Sequence, residues 1–377
     1  MLLQQLIRIP SVNPENAAGA QSDTTHEQAL ADFLANWLTD IGASVTLEEI
    51  RPLRPNLIAR FAPLDGRPRI LFGPHLDTVG VEGMTIDPFS GEISEGRIWG
   101  RGASDTKGSM AAMLEALQEN KDILPTLPTA IDFVAFMGEE SNQWGSKHFA
   151  TNHGHLYQFA IIGEPTSMDI VHTTKGSLWA TLTASGTAAH SSQPHLGDNA
   201  ILKLTRALHS LQEKLDAVLQ GYTHPVLGRS TLNIGTISGG TRPNIVPDCA
   251  QAEIDIRQTP SLLAAGGATA LLKQIIADLH LPLEIKYAHE NPPMETDPGH
   301  PFIKQLLAID PRTSLAGAPW FSDAAHLSAA GIPSVCLGPG SIDQAHTKNE
   351  FLDLGLLKES ARYFSKFIRS LQNSPVE

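Results

Sequence analysis

At 377 residues and a formal charge of −13, with only two cysteines (Cys249 and Cys336), the chain excludes several classes of protein. It exceeds the roughly 250–300 residues at which a single core stops growing, so a second, smaller domain is expected. Two cysteines support neither a disulfide framework nor a cysteine-type zinc site. The acidic balance argues against nucleic acid or an anionic membrane as partner, because both need clustered Lys and Arg. No segment reaches the ~20 continuous apolar residues of a membrane-spanning helix.

Gln4, Gln5 and Arg8 interrupt the apolar N-terminus, which therefore reads as the helical start of a cytoplasmic protein rather than a signal peptide. From Thr25 to Ile41 the residues Leu30, Phe33, Leu34, Trp37, Leu38 and Ile41 recur every three or four positions, the pattern of an amphipathic helix. Short apolar runs bounded by turns follow at 56–61, 69–72, 131–137 and 159–162, and Met110, Met113, Leu114 and Leu117 carry a helix after Asp105. Apolar strands alternating with helical patterns predict a helix-covered sheet, with ligands gathered at the carboxyl ends of its strands. Near Lys175 the texture changes. Residues 177–184 alternate, Ile201, Leu204, Leu208, Leu211, Leu215 and Val218 mark one long helix, 232–237 and 250–256 alternate again, and 262–279 is helical. Such a unit is a compact α+β domain with one open sheet face. A further ligand-like segment, ending in His346, follows it. The expected architecture is thus an α/β catalytic domain with a helix-covered mixed sheet, formed by 1–175 and 289–377, into which an α+β domain of 176–288 is inserted. Pro292 and Pro293 fall near the return.

Candidate chemistry sits where the strands end. His75 and Asp77, two apart in GPHLDT (73–78), share a side of an extended chain. Such a pair can be a metal ligand and the carboxylate that orients it, or a hydrogen-bonded loop. Asp105, after Gly100-Arg101-Gly102 and before Thr106-Lys107-Gly108, lies in a turn that would let one carboxylate approach two cations. A dinucleotide fingerprint lacks its third glycine here, and no Gly-Lys-Ser/Thr P-loop occurs. Glu139 and Glu140 end the run 131–137. Adjacent carboxylates repel unless a cation or shared proton relieves them, or unless they are solvated at a helix N-terminus. Glu164 follows 159–162 in the same way, and His346 lies in the Gly/Pro-rich loop from Gly338. Two His, two terminal carboxylates and one bridging carboxylate would give each of two zinc ions three protein ligands. Neither HExxH nor Gly-x-Ser-x-Gly is present, which removes the mononuclear zincin and the simplest serine hydrolase.

In combination, HLDT, GRGASDTKG, EES, GEPT, AHSS and the late Ala345-His346 resemble the M20 metallopeptidase/deacylase family, over essentially the whole chain from Ile9. That family includes acetylornithine deacetylase, succinyl-diaminopimelate desuccinylase, aminoacylase and carboxypeptidase G. The resemblance implies one metal held by His75, Asp105 and Glu164 and another by Asp105, Glu140 and His346, with Glu139 as general base and Asp77 orienting His75. It implies two divalent ions, zinc first, with cobalt or manganese suiting the same ligands. It further implies a peptide bond after Asp105 that is often cis, and a lid over 176–288 through which the chain forms a homodimer. His190 would reach the partner's active site to stabilise the oxyanion, and Asn244 and Arg257 would contact the substrate's carboxylate end. A lid His, Asn or Arg could instead serve only the dimer interface or a turn. Thr174-Lys175 stands where desuccinylases carry paired arginines, whereas 338–346 looks like the corresponding stretch of acetylornithine deacetylases. The implied activity is hydrolysis of a small N-acyl-amino acid, as in an acetylornithine deacetylase. The alternatives are a dipeptidase or carboxypeptidase acting on short peptides, a desuccinylase, and, remotely, an inactive metal-binding dimeric scaffold. The last predicts a broken ligand set, and here every position is filled.

Overall fold

Arg69–Pro74, Ala130–Ala135 and Phe159–Gly163 are buried along their whole length, as strands covered on both faces must be. They run parallel and side by side in the middle of a mixed nine-stranded sheet. They are seen in a computed structural model that describes residues 1–16 and 24–373. Ser334–Cys336 adds to Phe159–Gly163 in parallel, while Arg54–Arg60 and then Ser44–Arg51 extend the other side antiparallel. The expected α/β class with a helix-covered mixed sheet is what the chain forms.

Packing divides the chain into two units. One comprises Met1–His172, Glu295–Ala316 and Ser322–Glu377, and the other Thr173–Met294 and Gly317–Phe321. In the first, helices Gln28–Asp40, Lys107–Glu119 and Leu354–Ser370 bury their apolar stripes in the core. The Asp353 carboxylate caps the last of these, accepting from Gly355 N at 2.8 Å and Leu356 N at 3.1 Å. Phe364 and Phe367 of that helix meet Phe72 of the sheet with ring centroids 5.3 and 6.4 Å apart. Helix Gln28–Asp40 starts later than the apolar period from Thr25 suggests, because residues 25–27 form a bridge and a bend. Four parallel strands therefore end on one side of the sheet, and the turns that follow them carry His75, Glu139 with Glu140, Glu164, and the Gly338–Gly340 loop.

The second unit has a four-stranded antiparallel sheet, in the order Thr231–Gly239, Cys249–Gln258, Gly176–Ser185, Glu284–Asn291. Leu178, Ala180, Leu182 and Ala184 point to a core shared with Leu204, Leu208, Leu211 and Leu215 of helix Ala200–Leu219, while Trp179 is exposed between them. This is the expected α+β texture with one open sheet face. The continuous helix read over 262–279 is instead two, Pro260–Ala264 and Gly267–Asp278. Gly266 and Gly267 sit at φ +110° and +86° between them, a conformation that ends one helix and that glycine adopts without strain. Strand Glu284–Asn291 escapes the apolar reading because it is a largely exposed edge with charged residues Glu284, Lys286 and Glu290. Among the described residues no helix is long and apolar enough to cross a membrane.

Phe364→Ala should lower the stability of the first unit by about 3–5 kcal/mol, the usual range for emptying a fully buried aromatic site. A urea midpoint unchanged from wild type would show that this ring does not anchor the helix to the sheet.

Candidate metal centre

Each strand-end turn presents its polar side chain for a local reason. Gly138, at φ +74°, reverses the chain after the Ala130–Ala135 strand and sets Glu139 and Glu140 at its mouth. Asp105 comes just before helix Lys107–Glu119, across a cis Asp105–Thr106 peptide. His346 lies in a chain of turns with φ +61°.

These residues meet around Asp105. Its Oδ1 is 3.0 Å from His75 Nε2, and its Oδ2 is 3.4 Å from His346 Nε2. His346 Nε2 is also 3.1 Å from Glu140 Oε2. One atom each from His75, Asp105 and Glu140 falls within a 4.8 Å span. Glu164 is buried close enough for its charge to act on Glu139, and it feels Asp105 and Glu140 in turn. His75, Asp105, Glu140 and Glu164 are all buried or nearly so, whereas the His346 side chain is 53% exposed, so the cluster opens on that side.

The electrostatics of the cluster are those of too many carboxylates in too little water. Burial, then the neighbouring Glu164, raises Glu139 well above the ordinary carboxyl range, and burial followed by Asp105 does the same for Glu164. Burial and Asp105 also raise Glu140. Hydrogen bonds donated to the Asp105 and Glu140 carboxylates push the His346 imidazole up to about 10. His75 is raised well above its ordinary value by Asp105 and Asp77, against the opposing effect of burial. Asp105 itself is lowered: burial resists, and the two imidazoles prevail. With no ion present, protonated imidazoles would fill the role of cations. A divalent ion would displace their protons, since metal-bound His is neutral.

The residues fit such ions. The donor set is mixed imidazole and carboxylate, and Glu164 Oε1 is buried without a hydrogen-bond partner among the described residues. A buried acceptor near other carboxylates is satisfied only if a cation or a proton joins it.

Asp77 does more than its spacing suggested. Its carbonyl oxygen is 2.9 Å from His75 Nδ1, while its carboxylate is 3.5 Å from that nitrogen. The carboxylate accepts from Glu139 N at 3.0 Å, Glu140 N at 3.1 Å and Asn13 Nδ2 at 2.7 Å. It therefore fixes the backbone of the acidic doublet. Asn13 and Glu350, which accepts from Asp105 N at 3.0 Å, carry no local sequence signal. Asp323 does carry one: it is a carboxylate soon after the apolar Trp320-Phe321. It is buried, accepts from Ser146 Oγ and leaves Oδ2 without a partner among the described residues.

The remaining predicted residues belong to the second unit. His190 is exposed, with Nδ1 2.8 Å from Ser192 Oγ. Asn244 lies beside it, its carbonyl accepting from Ser191 N at 3.1 Å. Arg257, on strand Cys249–Gln258, donates from Nε to Asp255 Oδ2 at 2.9 Å.

Residues 71–370 match the sequence profile of Peptidase family M20/M25/M40. The chain belongs to the M20 family. It is accordingly a metallohydrolase of the peptidase and deacylase type. This M20 chain is 32% identical to an acetylornithine deacetylase from Proteus mirabilis over 98% of its own length and 95% of that protein's. It is 33% identical to an acetylornithine deacetylase from Vibrio campbellii, covering 88% of this chain and 89% of the other. In fold it is similar to an M20 family metallo-carboxypeptidase from Sulfolobus solfataricus, with a TM-score of 0.79, 20% identity and 98% of each chain covered. It is likewise similar to the aminopeptidase PepT from Bacillus cereus, with a TM-score of 0.76 and 22% identity, covering 98% of this chain and 96% of the other.

Burial holds Asp323 up at about 7, and Glu27, beside Arg54, up at about 7 as well. A carboxyl whose folded pKa exceeds its unfolded value binds its proton more tightly when folded. It therefore stabilises the M20 chain below the ordinary carboxyl range, and that stability is lost as pH rises toward about 7. Urea midpoints of the metal-free protein should fall between about pH 5 and about pH 7. Asp323→Asn should flatten that slope, and an unchanged slope would mean that Asp323 ionises normally.

Proposed function

We propose that the chain is a two-metal amidohydrolase that removes the acyl group from an N-acyl-amino acid, in the manner of an acetylornithine deacetylase. The observation that carries this reading is the division of Asp105: its two carboxylate oxygens face two different imidazoles, and the second imidazole also meets Glu140. A carboxylate shared in this way suits a bridging ligand. We assign His75, Asp105 and Glu164 to one ion and Asp105, Glu140 and His346 to the other. The choice of substrate is supported by the near full-length likeness to the Proteus and Vibrio deacetylases.

Two divalent ions, zinc by preference, would polarise the acyl carbonyl and make water acidic enough to attack near neutral pH. The residues of the chain supply the rest. Glu139 is an acid of the cluster left outside the ligand set, and its raised pKa suits a group that must take a proton and give it back. It accepts the proton of the attacking water and returns it to the departing amine nitrogen. Asp77 holds the Glu139 and Glu140 amides, so the base and its ligand neighbour keep a fixed offset. Residues 176–288 serve as the lid in this reading. His190 would stabilise the developing oxyanion of a partner subunit, and Asn244 and Arg257 would bind the α-carboxylate. An exposed His190 and an edge strand, Thr231–Gly239, at the end of the sheet support assembly through this unit.

Glu139→Ala should keep bound metal and lose about 10²–10⁴-fold in kcat, the range of general acid–base catalysis, whereas Glu140→Ala should lose metal. Wild-type kcat in Glu139→Ala would remove it as the base. A panel of N-acetyl, N-succinyl and N-formyl amino acids with dipeptides should show its highest kcat/KM on N-acetylornithine. Preference for dipeptides would make the chain a peptidase on the same centre.

A further inference from the structure

Glu350 is fully buried and sits four residues after His346. Its carboxylate takes four donors, two on each oxygen. Oε1 accepts from Ser104 N at 2.8 Å and Asp105 N at 3.0 Å, and Oε2 accepts from Gly102 N at 3.1 Å and Arg101 Nη1 at 2.7 Å. Three amides of the 102–105 turn and a guanidinium all donate, so the side chain among them must only accept. Only a carboxylate offers two oxygens that accept and never donate.

The guanidinium of Arg101 extends the clamp. Its Nε donates to Gly80 O at 3.0 Å, in the segment that follows His75 and Asp77, and its Nη2 to Thr347 O at 3.3 Å, next to His346. Thr85 N grips the same loop at Lys348 O, 2.9 Å away. Below the clamp, Phe351, Leu352 and Asp353 pair with Trp99, Ile98 and Arg97 as antiparallel strands. The two chains thus run together as a ladder and are pinned at Glu350. Beyond that pin they separate toward Asp105 on one and His346 on the other.

We propose that Glu350, with Arg101, is the positioning residue of the metal centre: it sets the separation of Asp105 from His346 and ties the His75 turn to both. His346 needs such a tether. It is half exposed, its backbone is left-handed, and its local hydrogen bonds are those of simple turns. The inference rests on the reading of His75, Asp105, Glu140 and His346 as metal ligands. It concerns how they are held, not which atoms they offer.

Glu350→Gln tests it without a change of volume. An amide in place of the carboxylate turns one pair of acceptor bonds into N–H facing N–H, a clash that leaves buried donors unpaired. Cobalt(II) titration of wild type and variant, followed by calorimetry and by the visible absorption of the bound ion, reads ligand placement directly. We expect at least a tenfold loss of affinity for the more weakly held ion and a changed cobalt spectrum in Glu350→Gln. Arg101→Lys keeps a cation beside Glu350 but cannot span Gly80 and Thr347, and it should show a smaller shift in the same direction. It also provides the measurement if Glu350→Gln does not fold. Wild-type cobalt affinity and spectrum in whichever variants fold, with only the melting temperature lowered, would reduce Glu350 to a structural residue and overturn the inference. Failure of the wild-type protein to bind cobalt would instead overturn the assignment of the metal ligands.

Discussion

Glu139, Glu140, Glu164 and Asp323 are buried within range of one another's charge, and an ionised carboxylate withdrawn from water is unfavourable by several kcal/mol unless donors or a cation face it. The surrounding structure sorts its acids by how that requirement is met. Against burial, His75 first and then Asn13 hold Asp77 below the ordinary range, and its carboxylate also accepts from two backbone amides; Asp105 is held down by two imidazoles. Glu164 and Asp323 each keep an oxygen that nothing among the described residues satisfies. An oxygen left without a donor needs a proton or a cation, so Glu164 and Asp323 are the acids that a bound ion would affect most.

Such a cluster can be assembled because the sheet delivers its turns to one side. Parallel strands end together, and a covered sheet keeps their backbones rigid enough for side chains from distant parts of the chain to meet. Arg69–Pro74 brings His75, Ala130–Ala135 the acidic doublet, and Phe159–Gly163 Glu164. The helix Leu354–Ser370, packed by its Phe364 and Phe367 on Phe72, fixes the C-terminal segment from which His346 and Glu350 reach back. The second unit is built differently, on an antiparallel sheet with one bare face, which leaves side chains such as Trp179 and Arg257 directed away from its own core.

Much of this could be read locally. A Gly- or Pro-bearing turn after an apolar run is a signal contained within a few residues, so the turns at His75, Asp105, Glu139, Glu164 and His346 stood out before any contact was known. Glu350 did not, because a lone acid before the apolar pair Phe351-Leu352 has meaning only once the amides of a loop elsewhere in the chain are placed against it. The carboxylate of Asp77 also found partners that spacing could not show, since two of its three donors are backbone amides. In the second unit the apolar period overrode a local signal that was present. Gly266-Gly267 marks a break, but the residues on either side keep helical spacing and invite a single helix.

The clamp joins residues 245 positions apart. During synthesis the acidic turns at 139, 140 and 164 therefore leave the ribosome well before the segment that closes around them, and the sheet still lacks its Ser334–Cys336 strand. Until then their carboxylates can stay hydrated or protonated, and the nascent chain has no finished cage in which to hold a cation. A cation bound by this set would have to wait until the chain had been made through Glu350.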